Sequence, residues 1–93
     1  MELPTTYSDK TSYKRRLIRE EYIRRQDNKC YFCSGSLSEK PIPTEEEFPI
    51  RWELFPPNFL KYPVHLQHCH ETDMTEGAVH AFCNAVMWQY YGR

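Results

Sequence analysis

Long apolar runs are missing from this 93-residue chain, and none is extensive enough to span a bilayer, so a membrane-spanning helix is not expected. The first residues, Met1–Ser12, are polar and lack the apolar centre of a secretory signal. There is no internal repeat, which sets aside solenoid architectures. Net charge is nearly absent too: a formal balance of -1 points to no partner by itself. Length bounds the rest. A chain this short is one small domain, and small domains bury limited surface and often need a staple. The four cysteines could make two disulfides or one metal site. An intracellular location is expected, and there short-spaced cysteines read as metal ligands.

The charge that is present is unevenly placed. Eight of the twelve basic residues fall between Lys10 and Lys29, opposed there by Glu20, Glu21 and Asp27. Such a patch suits phosphate contact, with Lys14, Arg15, Arg16 and Arg19 as the candidate nucleic-acid-binding residues. An ordinary solvated helix face is the alternative. Residues 1–10 read as a flexible arm and 11–93 as a single domain. A basic helix is expected over 11–27, with Thr11 or Ser12 as its cap and Leu17, Ile18 and Tyr22 as its buried stripe. An acidic loop follows at 34–49. Ile50–Phe55 and Pro63–His68 read as short strands, Glu71–Met74 as a turn, and His80–Tyr91 as a closing helix ending near Gly92.

Two pairs at metal-ligand spacing bracket the chain: Cys30-x-x-Cys33 and His80-x-x-Cys83. Zinc takes four soft or borderline ligands in a tetrahedron, and a knuckle plus a helix start supplies two edges of one. Cys30, Cys33, His80 and Cys83 are therefore the expected structural zinc ligands, with Cys69 in place of His80 as the lesser alternative. Such a site would also explain how so small a chain folds.

Between those pairs runs His65-Leu-Gln-His-Cys-His-Glu71, followed by Gly77-Ala-Val-His-Ala-Phe-Cys-Asn84. In this order, with the early cysteine pair, the chain resembles the HNH (ββα-metal) nucleases, and among them the phage recombination endonuclease VII-like branch. The resemblance covers about residues 29–91, with a gap at the acidic loop. It implies an α+β fold: a small zinc-stabilised ββα-metal domain with an N-terminal basic helix. It implies a metal-dependent DNA endonuclease, in the cytoplasm of a bacterial host and phage-encoded, acting as a monomer or a homodimer. Carried over by position, His68 is the general base, Asn84 and Gln67 hold a catalytic Mg²⁺ or Mn²⁺, and His70 supports the centre. His65 reads as structural.

Three positions depart from the branch. Gln67 stands where an aspartate or histidine ligand is usual, and a neutral amide binds Mg²⁺ more weakly than a carboxylate. Cys69 replaces an acidic residue, and Asp73 a turn glycine. The alternative function is therefore a catalytically degenerate zinc module that binds nucleic acid or protein.

Overall fold

The computed structural model describes residues 1–92. Helix α1 spans Ser12–Arg25 and starts where Thr11, in extended backbone, accepts a hydrogen bond from the Lys14 N–H. Arg24 and Arg25 lie in its last turn, where positive charge suits the helix dipole. Asp27 and Asn28 then take left-handed backbone, with φ of 55° and 58°, and turn the chain into the cysteine knuckle. Ile18 is the residue of α1 that is fully buried; Leu17 and Tyr22 are half-buried.

Strand β1 (Val64–His68) and strand β2 (Thr75–His80) pair antiparallel, with Val64 opposite His80 and Gln67 opposite Gly77. An irregularity between Gln67 and His68 shifts the register at the hairpin end. Helix α2 (Ala81–Tyr91) follows β2 directly and stops at Gly92, which takes the left-handed conformation (φ 68°) common just past a helix end. The chain is thus an α+β domain in which a hairpin runs straight into a helix and α1 packs against the sheet. Among the described residues, no helix is long and apolar enough to cross a membrane.

Two expected elements come out differently. Ile50–Phe55 is not a strand; it holds a 3₁₀ turn at Trp52–Leu54. Side chains of α2 pin it in place of a β-ladder: Arg51 N–H donates to Gln89 Oε1 at 3.0 Å, while Gln89 and Tyr90 both donate to the Pro49 carbonyl. The partner of β1 is β2, which starts between the expected turn at Glu71–Met74 and the expected closing helix. β2 is buried along nearly its whole length, so the polar–apolar alternation of a half-exposed strand is missing. Gly77 is required here by close approach. A Cβ on it would lie 2.7 Å from Gln26 Oε1 and 2.9 Å from the Tyr31 ring.

The expected flexible arm is hydrogen-bonded onto the hairpin turn. Thr5 exchanges hydrogen bonds with Thr75, Tyr7 N–H donates to the Asp73 carbonyl, and Ser8 Oγ donates to Asp73 Oδ2 at 2.6 Å. The core gathers Cys30, Leu37, Ala78, Val79, Cys83 and Met87, so two of the cysteines belong to it, with Cys33 packed against it.

Candidate functional site

The Cys30–Cys33 knuckle is shaped by its own backbone. Phe32 and Cys33 N–H groups point at Cys30 Sγ at 3.4 and 3.5 Å, Cys30 N–H donates to the Gly35 carbonyl at 2.8 Å, and Ser34 takes left-handed backbone. Opposite it, β2 ends on His80 and the first turn of α2 supplies Cys83. The ligand atoms of Cys30, Cys33, His80 and Cys83 all lie within 4.8 Å of one another. His80 Nδ1 is 3.5 Å from Cys33 Sγ and 3.6 Å from Cys83 Sγ. A zinc tetrahedron with Zn–S of about 2.3 Å and Zn–N of about 2.0 Å has N···S edges of about 3.5 Å. The other ring nitrogen, Nε2, lies 2.8 Å from the Ser36 carbonyl and 3.1 Å from that of Glu39. Its N–H donates there, which turns the Nδ1 lone pair toward the sulfurs, as metal-ligating imidazoles require.

The electrostatics of the sulfurs fit the same reading. The Cys83 thiol beside it pulls Cys30 down to about 4, while Cys30, burial and Cys33 push Cys83 up. Cys30 thus opposes ionisation of Cys83 beside it; a divalent cation among the sulfurs removes that opposition. The group could hold a zinc ion, and four protein ligands make such a site structural. Cys69 stands apart at the hairpin turn, where its N–H donates to the Met74 carbonyl. All four cysteines are free thiols.

On another face, a cleft of about 580 Å³ opens between α1, β1 and α2. β1 lines it with His65, Gln67 and His68, the turn with His70, and α2 with Asn84. α1 adds Arg15 and Arg19. His68 stacks on the Tyr7 ring, with centroids 3.8 Å apart and planes at 5°, and His70 lies 4.6 Å away. Burial lowers the His68 pKa, and His70 and the Arg15 guanidinium lower it further against Asp73 and Glu76. His65 is likewise lowered, first by burial. Both imidazoles are therefore neutral at pH 7, the form that accepts a proton or binds a metal.

His65 lies within 2.9 Å of the Phe59 carbonyl through Nε2, and the Asn84 side-chain amide meets its Nδ1 at 3.0 Å. Gln67 is 2% exposed; its amide donates to the His68 carbonyl at 3.0 Å and approaches Glu76 Oε1 at 3.4 Å.

The four basic candidates divide. Arg15 and Arg19 face the cleft, and Arg15 also donates to the Tyr7 and Ser8 carbonyls, with its guanidinium 3.9 Å from the Tyr7 ring centroid. Lys14 and Arg16 lie outside the cleft lining, Arg16 3.9 Å from Glu20. Two contributors were not singled out in sequence. His65, read as structural, shares the strand face of Gln67 by period-2 spacing, and that spacing could have found it. Tyr7 sits 61 positions from His68 in the chain and carries no local signal.

No family model, no curated protein and no solved structure matches this chain.

Proposed function

We propose that the protein is a metal-dependent DNA endonuclease of the HNH, ββα-metal kind, resembling the phage recombination endonuclease VII branch, with a structural zinc at Cys30, Cys33, His80 and Cys83. The observation that carries this reading is the convergence of His68, His70 and Asn84, from a hairpin and the helix after it, with Arg15 and Arg19 on one cleft. The same hairpin-to-helix junction supplies half of the thiolate–imidazole group, so zinc would hold the two halves of the cleft in register.

Hydrolysis of a phosphodiester needs an activated water, neutralised charge and a stabilised leaving oxygen. His68 takes the proton from water; its lowered pKa keeps it unprotonated at neutral pH. Arg15 and Arg19 hold the phosphates that flank the scissile one. Tyr7 fixes the plane of the His68 ring. A divalent cation, for which Asn84 supplies a donor in the cleft, would neutralise the scissile phosphate and the departing 3′ oxygen.

The test is incubation of zinc-loaded protein with end-labelled duplex, single-stranded and branched DNA across Mg²⁺, Mn²⁺, Ni²⁺ and Co²⁺. Metal-dependent cleavage leaving 3′-hydroxyl and 5′-phosphate ends is expected. No cleavage of any form with any of these ions overturns the proposal.

One observation favours a second reading, a nuclease-derived module that binds without cutting. Gln67 is neutral, buried and engaged with its own strand, where a carboxylate ligand would strengthen cation binding. DNA affinity that falls steeply with salt, with no strand broken, is the result that reading requires.

A further inference from the structure

Gln67 is a poor cation ligand in this fold. Its side chain is almost wholly buried, and its Nε2 donates to the His68 carbonyl at 3.0 Å and approaches Glu76 Oε1 at 3.4 Å. His65, two residues earlier on the same face of β1, is placed differently. Its Nε2 lies at 2.9 Å from the Phe59 carbonyl, so the N–H is donated there and the Nδ1 lone pair accepts from the Asn84 side-chain amide at 3.0 Å. His80 has the same arrangement: Nε2 on backbone carbonyls, Nδ1 toward a ligand cluster. A carbonyl behind one ring nitrogen is the usual support of an imidazole whose other nitrogen binds a metal.

The second donor is Asn84, whose amide lies 3.0 Å from His65 Nδ1. Nitrogen and oxygen of an amide exchange places by a half-turn of its plane. With Oδ1 turned inward, the pair presents two donors at that separation. Adjacent ligands of an octahedral ion at 2.0–2.1 Å stand about 2.9 Å apart.

We propose that His65 and Asn84, rather than Gln67 and Asn84, hold the divalent cation of the cleft. The role of that cation in catalysis rests on the nuclease reading above; its binding does not. An imidazole nitrogen beside a neutral amide is a borderline donor set. It favours Mn²⁺, Co²⁺ or Ni²⁺ over Mg²⁺, which prefers oxygen ligands.

The experiment is Mn²⁺ binding to the zinc-loaded protein, followed by loss of the free-ion electron paramagnetic resonance signal. His65→Ala and Asn84→Ala are expected to weaken binding by at least about tenfold. Gln67→Met, close in volume and without the amide, is expected to bind as the wild type does. Because His65→Ala removes the Phe59 contact as well, the wild-type protein provides a second readout. Substoichiometric Mn²⁺ should broaden the His65 ring resonances ahead of those of His68 and His70. Full Mn²⁺ affinity in folded His65→Ala, loss of affinity in Gln67→Met, or broadening that spares His65 overturns the proposal. Mn²⁺ held at His65 with every DNA form left uncut upholds the site and defeats the nuclease reading instead.

Discussion

His68 sits face to face with Tyr7, and beyond that ring lies the Arg15 guanidinium. This stack shields one face of the imidazole from water and adds a positive neighbour, and both effects disfavour the imidazolium. The consequence for pH follows in sign. A general base works when unprotonated, and the His68 pKa is lowered from its ordinary 6.5. The acid limb of the pH–rate profile should therefore lie below 6.5, with the rate falling as pH drops through it. Tyr7→Ala re-exposes the ring to water and should move that limb back up toward the ordinary value. A wild-type limb at or above that value would contradict the placement of His68. His68 owed its candidacy to the resemblance of the 65–71 segment to the HNH nucleases. Nothing in the sequence announced Tyr7, because the contact joins the chain's first segment to β1 through hydrogen bonds at Thr75 and Asp73.

At the level of elements, the joint between α1 and β2 carries the fold. Gln26 acts there as a short piece of strand edge: its Oε1 accepts from the Ala78 N–H at 2.9 Å, and its Nε2 donates to the Ala78 carbonyl at 3.0 Å and the Lys29 carbonyl at 2.7 Å. Gln26→Ala strands a buried N–H and should cost about 1–3 kcal/mol, measured by denaturant unfolding of the zinc-loaded protein. Gly77→Ala, which drives a Cβ into Gln26 and Tyr31, should cost a similar amount, about 1–3 kcal/mol. Wild-type stability in both variants would mean that α1 is not docked through this joint.

The same joint explains why β2 was hard to read. Gly77 and Ala78 are poor strand formers by propensity, chosen here because α1 and the knuckle press close, and burial on both faces hides the strand period. The helices were legible because their caps are local: Thr11 starts α1 and Gly92 ends α2. The segment 50–55 misled for the opposite reason. Its apolar residues turn toward α2 rather than toward a neighbouring strand, as Trp52 does toward Phe82 and Phe55 toward Trp88.

For the whole molecule, one point ties the knuckle, the 36–39 loop, the end of β2 and the start of α2 together. These four segments meet at His80 and the three thiols around it. Removing zinc with a chelator should cost the chain its cooperative unfolding transition, and adding Zn²⁺ back should restore it, as followed by circular dichroism. A metal-free chain that keeps the same transition would contradict a structural role for the site. This centre was the most legible feature of the sequence, since ligand identity and spacing together encode it. The cleft was legible only in part, because it needs α1, the N-terminal segment and α2 brought to one face by the tertiary fold. In the basic helix, Arg15 and Arg19 turn into the cleft, whereas Arg24 and Arg25 pair with Glu21.

Function tests most directly on supercoiled plasmid, with zinc-loaded wild type and His68→Ala compared side by side in Mn²⁺. Nicking by the wild type, reduced at least about 100-fold in a folded His68→Ala, is the expected result for a general base in this cleft. Equal nicking by the two proteins, or none by the wild type with its zinc and fold intact, would contradict it.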